Sequence, residues 1–377
     1  MKFNRKNPKH YIIFFVFSIN FLFVYFFKLL QTKKIETIAL LGHQFQGNLE
    51  GFFNEAKAKN IEVCYFTFDY KESKTSKNIR YILNPFNISK LLNCNKIVAS
   101  HGIFFHKLIN YRKIKTFNIG HGVQTSISNY SKSDYLLFDE IWLATNIDKN
   151  TLINDCNYLG NNLEVTGFIK IENIFKNENK KQQLKSKYNL NDSYCLYAPT
   201  ATGNLKNNLV DNFQFKNKNF LNELNKIAYR TNFKIIIKLH YNDYVHNKID
   251  KDIYDYIKKS DNLIYFQDLK LENRDHILNI ADVLITDWSS IYLEFLCLDK
   301  PILFLNSPRR RENIELSKII VNESIYRIKE LSELEQSLEK IKNKEEYLLK
   351  DLKNLIFENK YHKNVFDRYY LRLNRYE

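Results

Sequence analysis

The chain has 377 residues, long enough for two α/β domains that each bury a core. Apolar residues make up 44% and Gly and Pro number only 9 and 5, which excludes collagen-like and long low-complexity chains. The formal net charge of +15 calls for an anionic partner, and the candidates are a phosphate-rich substrate, an anionic membrane surface and nucleic acid.

The basic residues are spread along the chain, and no zinc-finger, RNA-recognition or basic-zipper pattern is present. Nucleic acid is therefore the weakest of the three partners. Cys64, Cys94, Cys156, Cys195 and Cys297 stand far apart, with no Cys-x-x-Cys pair. An odd count at such spacings argues for a reducing compartment and against a disulfide frame or a zinc site.

In chain order, Lys2, Arg5, Lys6 and Lys9 precede an uncharged apolar run from Tyr11 to Phe27. Its length is near the lower limit for spanning a bilayer, and no small-residue cleavage site follows. An uncleaved anchor helix is expected, with a membrane-surface helix as the alternative. Short apolar runs then end in polar residues: Ile38–Leu41 at Gly42-His43, Val63–Phe68, Lys96–Ser100 at His101-Gly102, Thr116–Ile119 at Gly120-His121-Gly122, Glu140–Ala144, and Leu163–Thr166 at Gly167. Helices are expected over Leu49–Ala58 and near Lys149–Cys156, and 69–90 reads as polar and turn-rich. Strands alternating with helices predict a parallel, doubly wound domain.

Residues 177–192 are rich in Lys, Asn and Gln and read as a linker. Beyond it come strands Tyr194–Tyr197, ending at Ala198-Pro199-Thr200, Phe233–Lys238, ending at Leu239-His240, and Leu263–Phe266, with helices at Asn219–Tyr229 and near Asp275–Asn279. Val283–Ile285, Thr286-Asp287, a helix carrying Ile291, Phe295 and Leu298, and strand Ile302–Leu305 make one βαβ unit. Ser289 and Ser290 sit where strand meets helix, a natural anion site, although serines there also cap helices. A charged helical pattern runs from Ile328 toward the tail. The expected division is a basic amino terminus and anchor (1–34), a first Rossmann-like domain (35–176), the linker (177–192), a second Rossmann-like domain (193–345), and a helical tail (346–377) packing back on the first.

In open α/β sheets, ligands bind beyond the carboxyl ends of strands. His101, His121, Thr200, His240 and the run Thr286–Ser290 all fall at such ends. Any one of them has a plain structural explanation, a turn or a hydrogen-bonded histidine. Together they mark a site.

Thr286-Asp287-Trp288-Ser289-Ser290-Ile291-Tyr292, followed by Leu298-Asp299-Lys300-Pro301-Ile302, resembles the signature of the CDP-glycerol glycerophosphotransferases, the teichoic acid primases and polymerases. The resemblance runs from about residue 95 to 305. Gly120-His121-Gly122, Val165-Thr166-Gly167, Tyr197–Thr200 and Ile237–His240 are similar to further motifs of that family. Where the family carries Trp before its His-Gly, Thr after it, Trp-Arg after Pro-Thr and Pro after the second histidine, this chain has Gly120, Val123, Ala201-Thr202 and Tyr241. These departures bear on donor and acceptor specificity.

The resemblance implies an α/β, GT-B-like fold of two Rossmann-like domains facing a cleft, preceded by the anchor. It implies a metal-independent transferase moving a polyol phosphate from a CDP-linked donor to a phosphate-rich or lipid-linked acceptor at the membrane, with no cofactor. In that scheme His121 and His240 are catalytic, with His121 as base. Thr200, Lys238, Asp287, Ser289, Ser290 and Glu294 bind the donor, and Arg309, Arg310 and Arg311 meet acceptor phosphates. A cytosolic donor requires the catalytic body on the cytoplasmic side. The four cations before the apolar run and three after it (Lys28, Lys33, Lys34) lean the opposite way. A nucleotide-sugar transferase of the same fold, or a non-catalytic membrane-tethered scaffold, are the competing readings.

Overall fold

Short Val-, Ile- and Leu-rich runs become two sheets in which every strand pair is parallel. Such strands bury both faces, hence their continuous rather than alternating apolar character. The computed structural model describes residues 8–28, 38–42, 45–103, 106, 114–120, 122, 135–155, 157–200, 217–240, 251–287, 289–306, 327–343, 353–354, 356–357 and 361–376. The chain divides into two compact units, the first of Met1–Val123, Ile127–Glu172 and Asn359–Glu377, the second of Gln124–Ser126 and Asn173–Glu358.

In the first unit the strands are β1 (Ile38–Gly42), β2 (Val63–Thr67), β3 (Ile79–Tyr81), β4 (Lys96–Ala99), β5 (Lys115–Asn118), β6 (Glu140–Leu143) and β7 (Leu163–Val165). Their order is β3-β2-β1-β4-β5-β6-β7, so the winding reverses between β1 and β4. Successive residues of a strand face opposite sides. Accordingly Ile38 and Leu40 enter one core with Phe52, Trp142 and Tyr369, while Ala39 and Leu41 enter another with Ile88 and Leu91.

The expected apolar segment does form a helix, α1 (Pro8–Lys28), but among the described residues no helix is long and apolar enough to cross a membrane. Instead Phe17 and Phe21 are buried in the first unit's core beside the helix Pro85–Asn93. Burying both rings stabilises the docked helix by about 3–6 kcal/mol before the entropy of ordering it is subtracted. The outer side stays apolar and open, with Ile12, Phe15, Leu22 and Phe23 at 64, 65, 55 and 60% exposure.

The terminal helix Val365–Asn374 packs on the same unit. Tyr369 stacks on Trp142 with centroids 4.5 Å apart, and its hydroxyl donates to the Gly167 carbonyl at 2.7 Å. Gly167 sits at φ +82, and a Cβ there would collide with the Tyr361 carbonyl. Only glycine permits that approach, which accounts for the Val-Thr-Gly motif structurally.

The second unit orders its strands β10-β9-β8-β11-β12-β13. They are β8 (Tyr194–Tyr197), β9 (Lys234–Ile237), β10 (Leu263–Tyr265), β11 (Val283–Thr286), β12 (Ile302–Leu305) and β13 (Arg327–Ile328). Residues 177–192, expected as a linker, carry a 3-10 turn at Glu178–Lys180 and a helix at Lys181–Lys187. Leu184 and Lys185 are buried there, and Lys181 and Lys185 pair with Asp282. The turn-rich reading of 69–90 also missed β3 and the helix Pro85–Asn93, although Asn84-Pro85 is a helix-start signal: Asn84 accepts from the Phe86 N–H at 3.0 Å.

Among the described cysteines Cys64, Cys94, Cys195 and Cys297 are free thiols. Burial pushes Cys195 and Cys297 well above the usual thiol range, so both stay protonated and inert.

Candidate active site

From β8 the chain winds outward through β9 to β10, then returns to lay β11 on the other side of β8. The winding therefore reverses between β8 and β11, where an open α/β sheet leaves a crevice at the strands' carboxyl ends. Thr200, Lys238–His240 and Asp287–Ser290 follow β8, β9 and β11, three adjacent strands in the middle of this sheet. The second unit thus brings together Thr200, Lys238, His240, Asp287, Ser289 and Ser290 at one edge.

Asp287 ties two of these loops. Its Oδ1 and Oδ2 accept from the Thr200 N–H at 2.8 and 3.0 Å, its Oδ1 from the Thr200 hydroxyl at 2.6 Å, and its Oδ1 also from the Ser289 N–H at 3.1 Å. Just below, the Thr286 hydroxyl donates to the Ala198 carbonyl at 2.6 Å, and the Ala198 N–H to the Ile285 carbonyl at 2.9 Å. The turn is thereby fixed without the serine side chains. Ser290 stands at the head of helix Ile291–Leu296, is exposed, and makes no side-chain capping bond. The capping alternative fails for Ser290, and its hydroxyl remains available.

The rest of this motif is less exposed. Tyr292 is fully buried edge-on to Phe304 at 5.4 Å, and burial raises its phenol far above the ordinary range, so it is a core ring. Glu294 is only 8% exposed on the same short helix. His240 is exposed, and the half-buried Lys238 holds its ammonium 5.7 Å from the Phe266 ring centroid. Lys300, in the second half of the motif, lies at the opposite end of the strands. Its ammonium donates to the carbonyls of Leu278, Asn279 and Ala281 at 3.1, 2.7 and 2.7 Å, closing the carboxyl end of helix His276–Ile280. Burial, with Lys181 adding repulsion, lowers it to about 7. That lysine is structural.

In the first unit His121 lies outside the described residues, as do Arg309, Arg310 and Arg311 of the second. The residue before His121 is described and tightly held. Gly120 has φ +58, its N–H donates to Asn118 Oδ1 at 2.9 Å, and Asn48 Nδ2 donates to the Ile119 and Gly120 carbonyls at 3.1 and 3.4 Å. Asn48 Oδ1 in turn accepts from the Lys170 N–H at 3.1 Å. A buried Asn48 therefore fastens the loop after β5 to the heads of two helices. Sequence reasoning did not reach Asn48, because its partners lie 71 and 122 positions away and no local pattern marks them. His101, at the end of β4, shares a hydrogen bond with the Ser100 hydroxyl through Nδ1 at 2.8 Å.

Two doubly wound parallel sheets, one carrying hydroxyl, imidazole and ammonium groups at its switch point, place these groups where open α/β sheets take their ligands. The chain belongs to the CDP-glycerol:poly(glycerophosphate) glycerophosphotransferase family, whose profile it matches over residues 21–364. It is 26% identical over 249 residues to the teichoic acid glycerol-phosphate primase of Bacillus subtilis (strain 168), a match covering 65% of this chain and 58% of the primase. The aligned part thus spans little more than half of that relative. Among solved structures, the wall teichoic acid polymerase TagF aligns with a TM-score of 0.68 at 12% identity, covering 91% of this chain and 90% of that one. The UDP-GlcNAc 2-epimerase of Methanocaldococcus jannaschii aligns with a TM-score of 0.57 at 15% identity, covering 91% and 100%. At these identities the likeness is one of fold.

Proposed function

We propose that this chain is a GT-B-type transferase moving glycerol phosphate from CDP-glycerol to a hydroxyl of a cell-surface polymer or lipid-linked acceptor. The observation that carries this reading is the hydroxyl, imidazole and ammonium set at the β8/β11 switch point, in a member of the glycerophosphotransferase family. His121 takes the acceptor hydroxyl proton as the oxygen attacks the glycerol-bearing phosphorus, an imidazole's ordinary pKa suiting that task near neutrality. The bond from that phosphorus to the bridging oxygen breaks, and CMP leaves with the electron pair. His240, Ser289 and Ser290 stabilise the charge that develops on the leaving phosphate. Arg309, Arg310 and Arg311 meet phosphates of the acceptor.

The test is to incubate the full-length protein with CDP-glycerol, CDP-ribitol, UDP-GlcNAc and a glycerol-phosphate-primed acceptor, scoring the nucleotide released. CMP from CDP-glycerol is expected. Release of UDP alone would sink this reading in favour of a nucleotide-sugar transferase of the same fold, which the departures at Ala201-Thr202 and Tyr241 leave open.

Helix α1 tethers the chain to an anionic membrane on the cytoplasmic side, where the donor is available. Its open apolar side and the cations that bracket it (Lys2, Arg5, Lys6, Lys9, Lys28, Lys33, Lys34) support the tether, while the choice of side rests on the cytosolic donor, against the slight charge bias of four cations before the run and three after it. Because Phe17 and Phe21 belong to the first unit's core, deletion of α1 would confound folding with tethering. The double substitution Phe15→Asp and Phe23→Asp alters only the open side. It is expected to move most of the protein from vesicles containing phosphatidylglycerol into the supernatant, with an unchanged circular dichroism spectrum. Unaltered co-sedimentation would show that the basic body, not α1, is the tether.

A further inference from the structure

Thr200 has two hydrogens to give, its backbone N–H and its hydroxyl, and both go to Asp287. A threonine hydroxyl carries one hydrogen and two lone pairs, so what its oxygen can still offer a ligand is acceptance. The Asp287 carboxylate, 2.6 Å away, also places negative charge directly behind that oxygen. A phosphate oxygen, which bears no hydrogen at neutral pH when ionised, would meet a lone pair backed by an anion. Ser289 and Ser290 are the opposite case. Their hydroxyls form no hydrogen bond among the described residues, and Ser290 is exposed at the same strand ends.

We propose that Thr200 reads a hydrogen-bond donor on the nucleotide, a ribose hydroxyl or the cytosine amino group, while Ser289 and Ser290 take its phosphate oxygens. Asp287 is the positioning residue that sets this polarity, touching Thr200 and the Ser289 backbone rather than the ligand. The inference rests on the second unit being the CDP-donor unit, and it goes further by dividing that site into a nucleoside end and a phosphate end. The committed hydroxyl makes Thr200 selective against phosphate, and the uncommitted serines make the other loop selective for it.

Calorimetric titration of the full-length protein with CMP, 2′-deoxy-CMP, UMP and inorganic pyrophosphate tests the division. Thr200→Val is expected to weaken CMP binding about 3–10-fold, the size of one neutral hydrogen bond, and to leave pyrophosphate binding unchanged. Ser289→Ala and Ser290→Ala should weaken pyrophosphate. Asp287→Asn keeps an oxygen where Oδ1 accepts from Thr200 and the Ser289 N–H, so it should preserve the preference for CMP. Asp287→Ala frees the Thr200 hydroxyl hydrogen and removes the anion behind it, so pyrophosphate should tighten, a sign that loss of structure cannot imitate. If the group read is the ribose 2′-hydroxyl, Thr200→Val adds no loss for 2′-deoxy-CMP; if it is the cytosine amino group, it adds none for UMP; the full loss for both assigns the 3′-hydroxyl. Thr200→Ser, which keeps the hydroxyl, should restore CMP affinity. Equal losses for CMP and pyrophosphate in Thr200→Val, or no loss for either, would overturn the assignment alone. Absence of CMP binding by the unaltered chain would overturn the donor reading together with it.

Discussion

Replacing His121 by Ala is expected to lower turnover about 10²–10⁴-fold while leaving CMP affinity within about twofold, because a general base acts chiefly in the transition state. The proposed separation of roles rests on placement. His121 follows β5 in the first unit, whereas the hydroxyls and His240 follow strands of the second. Replacing His240, Ser289 or Ser290 should therefore weaken donor binding as well as turnover, each removing one hydrogen bond to a charged group, about 1.5–3 kcal/mol. Asn48→Ala provides a graded companion. It releases the Ile119 and Gly120 carbonyls and strands the Lys170 N–H, so kcat should fall about tenfold with donor affinity intact, a loss of about 1.4 kcal/mol in the transition state. His101→Ala is the control, expected to leave kcat near normal, its Nδ1 sharing a hydrogen bond with the adjacent Ser100 hydroxyl. Initial rates of CMP release with donor and acceptor varied separately would decide between these outcomes. A His121→Ala protein with near-normal turnover would remove the base assignment and shift attention to His101.

How far the site could be read beforehand depended on where its contacts lie along the chain. Thr200, His240 and Asp287–Ser290 were legible because each interrupts an apolar run at a strand's carboxyl end, and that break is local. Which of them would be neighbours was not legible. The order β9-β8-β11 depends on the crossover after β10, and the Thr200–Asp287 bonds join positions 87 apart. The resemblance assigns Asp287 to the donor; that its carboxylate also accepts from Thr200 and the Ser289 N–H was not legible. The helix at Lys181–Lys187 escaped notice because Leu184 is its lone apolar residue, and its place is secured by charge pairing with Asp282 rather than by periodicity. Helix α1 was expected from hydropathy alone. Hydropathy does not distinguish a ring that faces lipid from Phe17, which is completely buried against protein.

The terminal helix was expected on the first domain, but its partners there, more than 200 positions away, were not legible, and it carries the largest expected effect on stability. Arg372 reaches Glu140 at 3.0 Å and Glu164 at 2.6 Å, and Glu140 also accepts from the Trp142 indole at 2.6 Å and the Tyr376 hydroxyl at 3.0 Å. Burial first, then Glu140, raise the Tyr376 phenol to about 12, so it remains a donor across the physiological range. The Glu140 and Arg372 side chains are 10 and 18% exposed, which makes the pair costly to split. Arg372→Met keeps the packing of the stem but leaves the Glu140 carboxylate without its cation. The first unit is expected to lose about 3 kcal/mol, the low end for breaking a buried pair, since the indole and phenol donors remain. Tyr376→Phe, which removes one neutral donor, should cost only about 1 kcal/mol. The two tryptophans make the measurement specific: Trp142 sits inside this network and Trp288 belongs to the other unit. In a Trp288→Phe background, denaturant titration followed by indole fluorescence reports the first unit alone, so two units unfolding separately do not blur the midpoint. A midpoint for Arg372→Met that matches its parent would mean that the terminal helix is held by Tyr369 and Phe366 packing, with the ion pairs contributing nothing net.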